Sequence, residues 1–428
     1  MGDYKKPFEG LRVADFSWVG VGPTVAKYLA DHGAEVIRIE STTYPEALRR
    51  VGPFVDDTPG MDNSGYFANF NSSKLGCSIN FKHPEGPQLA RDLVAKCDVV
   101  TESYTPGTMA RFGLSYEELS EGRDDLVMVS MPLYGQTGPW AQYAGFGHIL
   151  QAASGYNHLT GWPDGQPIGT GIAYTDFLVP HIGAIALVAA LDYRRRTGKG
   201  QYIDFSQFEA AVHGLWTGVL EWTANGREME RMGNRDPDAA PHGCYECRDG
   251  RWLVLACFTE DEWTSLKAAM GRPDWCDLER MRRKWQRLNE QKEIDRHLSN
   301  WVWDMTRKPE DPEEAEVEGA EGVRIRKYTS IEMMERLQSF GVPAGVVQTP
   351  EDMQRDPQMQ HRGHYWKLQH PVMGLRTYDS PAFLLSKTPA ELTKAAPLLG
   401  EDNEYVFNEL LGMGQERFVE LLAAGAFE

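Results

Sequence analysis

Asp176 is the acid with the most chemical promise in this sequence. It stands in Ile172-Ala-Tyr-Thr-Asp-Phe-Leu-Val179, at the head of a largely apolar stretch. A carboxylate at a helix start lies near the positive end of the peptide dipole, which favours its ionised, nucleophilic form. Asp is also a preferred helix cap, so residue type alone leaves cap and nucleophile equally open. His148 and His181 read as ordinary core or surface histidines. Cys244-Tyr-Glu-Cys247 invites a zinc or redox reading, but no second Cys-x-x-Cys stands at zinc-site spacing. Strand residues three apart face opposite sides, so the two thiols should diverge, and no metal site is expected. Gly20-Val-Gly-Pro-Thr-Val25 opens a helix after a strand, and Glu40 ends the next strand, where a ribose-binding acid would stand. Val25 occupies a place where a dinucleotide fingerprint wants Gly or Ala, so the segment reads as a tight strand-to-helix turn.

Alternating strands and helices must hold these residues. Strands are expected at Leu11–Phe16, Glu35–Glu40, Val99–Thr101, Leu126–Met131 and Gln201–Phe205. Helices are expected at Thr24–His32, Pro87–Cys97, Phe177–Arg196 and Gln207–Asn225. The third helix ends in a basic turn and Thr197-Gly198-Lys199-Gly200, a glycine stop. Strand–helix–strand order with short turns predicts a doubly wound parallel sheet. Composition changes near residue 226. Gly226–Pro241 is a charged, Gly/Pro-punctuated linker, and Gly243–Cys257 alternates around Asp249-Gly250 as a hairpin should. Helices follow to about Thr306. Residues 308–322 are strongly acidic and read as a solvated insertion. Strands and turns return from Val342, and amphipathic helices close the chain at 403–424. This divides the chain into 1–225, 226–335 and 336–428.

Charge and composition exclude several functions. The 428 residues carry 44 Lys plus Arg against 62 Asp plus Glu, a net charge of −18. Such a surface repels phosphate backbones and anionic lipid, so neither nucleic acid nor membrane is an expected partner. Six cysteines are too few for a disulfide-stapled secreted domain. Met-Gly-Asp-Tyr-Lys-Lys-Pro has no apolar stretch behind its lysines, so no signal peptide is expected. The longest apolar run, Phe177–Leu191, is interrupted by Pro180 and His181 and is too short for a bilayer. The expected location is the cytoplasm.

Gly10–Ser41, Asn71–Gly86, Thr105–Leu114, Arg194–Gln201, Gly341–Val347 and Ala396–Glu401 together resemble the family III CoA-transferases, the group of formyl-CoA transferase and carnitine CoA-transferase. The likeness runs in order from about residue 8 to 410. It implies an α/β fold: a Rossmann-like large domain whose parallel sheet is built from both chain ends, plus a smaller α+β middle domain. It also implies two subunits interlocked like links. The family's nucleophilic Asp falls on Asp176, and its CoA contacts on Val19, Ile79, Lys82, Tyr104 and Arg111. Tyr104 is placed to stack on adenine. The implied chemistry passes through an aspartyl anhydride and an aspartyl-CoA thioester, with coenzyme A thioesters as substrates and no permanently bound cofactor. Backbone N–H groups must stabilise each oxyanion, and Gly145–Gly147 and Gly233 with Gly243 are candidate loops for this.

Three frequent basic positions are neutral here: Ser41, Leu75 and Thr105. Weakened CoA binding follows, and with it the alternative of a structural subunit in a heteromeric transferase. A second alternative is the related α-methylacyl-CoA racemase, which needs a His and an Asp on opposite faces of the α-carbon. Its Asp also matches Asp176, but its His position falls on Phe146 and its Glu position on Thr259. A Phe cannot shuttle a proton. Within the transferases, DFSWVGVGPTVAKYLADHGAEVIRIES and YTDFLVPHIGA are similar to the benzylsuccinate CoA-transferase branch of anaerobic toluene breakdown. That branch implies succinyl-CoA as donor, (R)-benzylsuccinate as acceptor and two related chains. Trp140, Trp162, Trp216 and Trp222 would suit an aromatic acceptor.

Overall fold

The computed structural model describes residues 5–311, 315–318 and 324–428. The chain forms two compact units. The larger comprises Met1–Leu159, Pro167–Met229 and Pro357–Glu428, and the smaller Thr160–Gln166 and Glu230–Asp356.

In the larger unit six strands make one sheet: β1 (Arg12–Asp15), β2 (Glu35–Glu40), β3 (Leu75–Ser78), β4 (Val99–Glu102), β5 (Val127–Ser130) and β6 (Gln201–Asp204). Their order is β3-β2-β1-β4-β5-β6, and every pairing is parallel. This is the doubly wound order, whose direction reverses between β1 and β4. The helices that matter here are α1 (Val21–Asp31), α2 (Gly65–Asn71), α3 (Gly86–Val94), α4 (Gly147–Ala153), α5 (Tyr174–Thr197) and α6 (Trp216–Asn225). Both sheet faces are covered, and apolar residues of β1, β2, β4 and β5 point to each of them. On one face Ile37, Ile39, Cys77 and Met128 pack with Leu89 and Leu93 of α3 and with Phe407, Phe418 and Phe427. On the other, Val13, Val36, Val99 and Val127 meet Val25 and Leu29 of α1 and Val179, Leu187 and Ala190 of α5.

The sheet is not built from both chain ends. All six strands lie before residue 205, and the C-terminal segment contributes side chains and helices instead. The free edge of β3 shows why. Gly76 N–H donates to Asp402 Oδ2 (2.7 Å) and Ser78 N–H to Asn403 Oδ1 (2.8 Å). Just beyond, Asn80 N–H donates to the Ala426 carbonyl (2.8 Å). Edge donors satisfied in this way leave no ladder for a seventh strand. The late strands, Tyr365–His370 and Gly374–Asp379, pair with each other as an antiparallel hairpin.

Helix α5 runs straight through Pro180. At 24 residues, with an 18-residue window of mean hydropathy 1.6, it is long and apolar enough to cross a membrane, whereas its interrupted apolar run reads as too short for one. Its Val179, Leu187 and Ala190 are nevertheless core residues packed with α1. Its opposite face leaves Ile185 and Val188 exposed, as α6 leaves Trp216 and Trp222. The expected helix over 207–225 is divided by a tighter turn at His213–Leu215.

The smaller unit is α+β. Strands His242–Glu246, Trp252–Ala256 and Ala344–Val346 form an antiparallel sheet with Trp252–Ala256 in the middle. Helices Glu260–Ala269, Gln291–Met305 and Ser330–Ser339 bury Trp263, Leu266, Ile294, Leu298, Met333 and Leu337 with it. Cys247 lies beyond the end of its strand and is buried, Cys244 is half-buried, and both are free thiols. Of the acidic stretch 308–322, residues 312–314 and 319–322 lie outside the described residues. Glu316–Glu318 pairs antiparallel with Arg324–Arg326, and Arg324 contacts Glu316 at 3.1 Å.

Candidate active site

A cleft of about 670 Å³ opens in the larger unit, above the carboxyl ends of its strands. Each strand feeds it in turn. Trp18–Val21 follow β1, Ser41, Thr43 and Tyr44 follow β2, and Asn80–Lys82 follow β3. Ser103–Pro106 follow β4, Pro132 and Leu133 follow β5, and Gln207 follows β6. This is where a doubly wound sheet leaves room for a ligand, outside the strand ends at the reversal of order.

Asp176 lies at one end, 6% exposed. Ala173 holds the cap position of α5 and Asp176 sits inside the first turn without a side-chain capping bond. The capping alternative therefore lapses. Two other helices begin against it. A Cβ on Gly147, the first residue of α4, would lie 2.4–2.5 Å from the Asp176 carboxylate atoms. A Cβ on Gly20, just before α1, would lie 3.1 Å from Asp176 Cβ. The absence of a side chain at Gly147 permits this approach, and at Gly20 it avoids a tight contact. Thr175 Oγ1 donates to the Gly147 carbonyl (3.1 Å), which ties the start of α5 to the start of α4. First-turn N–H groups of a helix lack intrahelical partners, so the carboxylate stands among donors a developing oxyanion needs. Among the described residues no cation pairs with it. Burial pushes its carboxyl up to about 6. The direction is that of desolvation, opposite to the one expected from the helix start alone.

The turn carrying Gly20 is held from two sides. Trp18 N–H donates to Ser103 Oγ (2.7 Å), and Val19 N–H donates to Glu46 Oε1 (3.2 Å). Val19 has φ +63°, a conformation that costs a β-branched residue on the order of 1–3 kcal/mol. Beneath the turn lies a buried charge network. Lys74 Nζ donates to Asp15 Oδ2 (2.8 Å), the Pro23 carbonyl (2.8 Å) and Asn71 Oδ1 (2.9 Å). Burial pulls the Lys74 ammonium down to about 8, with Asp15 acting against it. Glu40, the acid a ribose would need, accepts both Nε (2.9 Å) and Nη2 (2.7 Å) of Arg49. That pairing and the burial of Val25 in the core with α5 fit a tight packing turn.

The other end of the cleft is wetter. Lys82 and Arg111 are exposed, and neither is in an ion pair among the described residues. Arg111 Nη2 donates to Thr108 Oγ1 (2.9 Å). The ring of Tyr104 meets Trp18 edge-on at 5.9 Å, and Trp18 stacks on Tyr44 at 5.2 Å. Val19, Lys82, Tyr104, Arg111 and Asp176 are thus brought to one cleft. Ile79 is not: its side chain is fully buried in the sheet core, while its neighbours Asn80–Lys82 form the wall. Of the three neutral positions, Ser41 and Thr105 line the cleft, and Leu75 packs against the core.

Trp140, Trp216 and Trp222 of the larger unit do not line the cleft; its aromatic wall near Gly147 is Tyr143 and Phe146. Trp162 packs on Gly233 in the smaller unit, Gly243 abuts the Tyr245 phenol there, and Thr259 caps helix 260–269. Sequence reasoning missed Gly20, Ser103 and Glu46. Gly20 carried a signal, a glycine directly before α1, but it was weighed only as a phosphate-loop residue.

The sequence pattern described as CoA-transferase family III matches residues 8–311 and 306–403, its two parts meeting where the acidic insertion begins. The succinyl-CoA:glutarate CoA-transferase of Mus musculus is 29% identical, covering 100% of this chain and 91% of that protein. The succinyl-CoA–D-citramalate CoA-transferase of Chloroflexus aurantiacus is 29% identical, over 98% of this chain and 97% of its own. The alpha subunit of that organism's succinyl-CoA–L-malate CoA-transferase is 30% identical, over 98% of this chain and 92% of its own. A CAIB/BAIF family protein from Brucella suis superposes with a TM-score of 0.81 at 28% identity, over 95% of this chain and 100% of that one. With the pattern spanning nearly the whole chain and the strand-end cleft in place, this chain belongs to CoA-transferase family III and is a CoA-transferase.

Proposed function

We propose that this chain moves CoA from succinyl-CoA to a carboxylic acid, with Asp176 as nucleophile. The ionised Asp176 attacks the thioester carbonyl, the C–S bond breaks, and CoA thiolate leaves a mixed anhydride. The thiolate then attacks the aspartyl carbon and releases succinate, giving an aspartyl-CoA thioester. The acceptor carboxylate attacks that thioester and frees the thiolate again. Thiolate attack on the acceptor's acyl carbon yields the new CoA ester and restores Asp176. These steps use only a carboxylate, a thioester and an acid, so no cofactor is called for. The observation that carries the reading is the pressing of Gly147 and Gly20 onto a buried Asp176, without a cation partner among the described residues, in a cleft whose rim also carries Lys82 and Arg111.

The acceptor belongs among dicarboxylates, the acids in the names of the relatives, which are glutarate, citramalate and malate. Tyr143 and Phe146 beside Gly147 favour an aryl-substituted one such as (R)-benzylsuccinate. The working form is a cytoplasmic pair of family III chains, interlocked, identical or sibling. The exposed apolar faces of α5 and α6 support a second chain, and relatives named as alpha and beta subunits support a sibling.

The test incubates the purified protein, alone and with co-expressed neighbouring gene products, with succinyl-CoA. Glutarate, malate, citramalate and (R)-benzylsuccinate are supplied in turn, and new CoA esters are read by mass spectrometry. Hydroxylamine should trap a modification at Asp176. Exchange of an α-proton in deuterated water without CoA transfer would support the racemase instead.

A further inference from the structure

We infer that Glu46 is a positioning residue for the transfer reaction, holding the Trp18–Val19–Gly20 turn in the shape that seats Gly20 against Asp176. The inference rests on the reading of Asp176 as nucleophile. Glu46 is fully buried, which is unusual for a carboxylate. Its Oε1 accepts N–H from Val19 (3.2 Å) and from Leu48 (3.0 Å), and its Oε2 lies 3.8 Å from Arg38 Nη2. Arg38 is equally buried, and among the described residues none of its three nitrogens has a hydrogen-bond partner. It stands between Glu46 and Asp15, 3.6 Å from Asp15 Oδ2. The carboxylate therefore has a fixed cation behind it and two backbone donors before it.

What it holds is costly to hold. Val19 is β-branched and sits at φ +63°, where such residues are outliers unless their surroundings impose the conformation. Its neighbour Trp18 is fixed through both backbone groups. Its N–H donates to Ser103 Oγ (2.7 Å), and its carbonyl accepts from the same hydroxyl (3.2 Å). Ser103 pins the start of the turn and Glu46 its middle. The next residue is Gly20, whose backbone backs Asp176. Release of Val19 toward an ordinary conformation would carry Gly20 off the nucleophile. Glu46 touches no reacting atom; it acts through Val19.

The experiment measures kcat and KM of the purified transferase with succinyl-CoA and its best acceptor acid from the panel above. Glu46→Ala should lower kcat at least tenfold and change KM for succinyl-CoA less than threefold. Glu46→Gln keeps an oxygen for the two N–H groups and should recover most of that kcat. Adding Val19→Gly to Glu46→Ala should also recover activity, because glycine adopts a positive φ without strain. A purely structural role, balancing the charge of Arg38, predicts lost stability that Val19→Gly does not repair. Should Glu46→Ala fail to fold, amide exchange in the unaltered protein decides. The Val19 N–H should exchange at least a hundredfold more slowly than exposed loop amides, and exchange at the loop rate would overturn the proposal. It is also overturned by a Glu46→Ala kcat within twofold of the parent, or by a double variant no better than Glu46→Ala. Absence of CoA transfer in the parent, or an Asp176→Asn variant as active as the parent, refutes the functional reading instead.

Discussion

The two ends of the cleft are built on opposite rules. Around Asp176 the backbone is tightly placed: two buried glycines, three helix starts and no counter-ion among the described residues, with the rings of Tyr143, Phe146 and Phe177 exposed nearby. At the other end Lys82, in a loop, and Arg111, the last residue of the short helix Thr108–Arg111, present exposed side chains. Covalent chemistry at one carbonyl needs atoms placed to a fraction of an ångström, and a dry site makes its donors effective. Holding a polyanionic tail needs only mobile cations in roughly the right place. Substitutions at the two ends should therefore fail differently, in kcat at the first and in KM at the second.

The largest effect is expected at the nucleophile. Asp176→Asn should reduce CoA transfer by about 10³-fold or more, since the covalent route is lost while substrate binding remains. The same change should not lower stability. A carboxyl raised from 3.8 to about 6 by burial binds its proton more tightly in the folded state. Ionising it above pH 6 thus costs on the order of 3 kcal/mol, and that cost disappears as pH falls toward 4. Calorimetry should find the Asn variant at least as stable as the parent at pH 8. An inactive variant with a much lower Tm would mean that Asp176 holds structure. Gly147→Ala should come next. Its methyl would land 2.4–2.5 Å from the carboxylate, and the flexible end of Asp176 must swing aside. We expect kcat about a hundredfold lower with KM nearly unchanged; an equal rise in KM would blur the contrast between the two ends.

The pH profile sharpens the same point. With Asp176 near 6, kcat/KM should be flat above pH 7 and fall about tenfold per unit well below pH 6, as the protonated acid loses its nucleophilic oxygen. Initial rates between pH 5 and 8 check this, and a profile flat to pH 5 would place the nucleophile in a more solvated setting.

How much of this was legible in the sequence depended on range. Glu35–Glu40 was bounded correctly because Val36, Ile37 and Ile39 follow the turn at Gly33 and give way to polar loop residues after Glu40. The doubly wound order followed from strand–helix alternation. The edge of β3 was illegible, because Asp402 and Asn403 reach it from more than 300 residues away through side chains. Pro180 interrupts the apolar run of α5 but not the helix, which was expected across it and which packing on α1 supports. Asp176 stood out as an acid at a helix start. The opposing effect of burial needed Gly20 and Gly147 folded against it, and nothing local announces that. Glu46 was invisible for the same reason: its role comes from Val19, 27 positions earlier.

The smallest effects belong to the exposed end, and they run in both directions. Lys82→Ala and Arg111→Ala each remove one solvated cation from the rim. Each should raise KM for succinyl-CoA about fivefold to tenfold, the scale of a single partly screened charge-assisted contact, with kcat within about twofold. The rise should shrink at high salt, since ions screen exposed charges beyond roughly 10 Å at 0.1 M. The reverse change is the more telling one. Thr105 lines the cleft and is exposed, and among the described residues its side chain bonds only to Thr108 Oγ1 (3.1 Å), while its carbonyl accepts the Thr108 N–H. Thr105→Arg can therefore point a guanidinium at the rim without breaking the fold. It should lower KM about threefold at low salt and leave kcat and its pH profile unchanged. If Thr105→Arg instead lowers kcat, the exposed end is placing the thioester as well as holding its tail, and the division between the two ends fails.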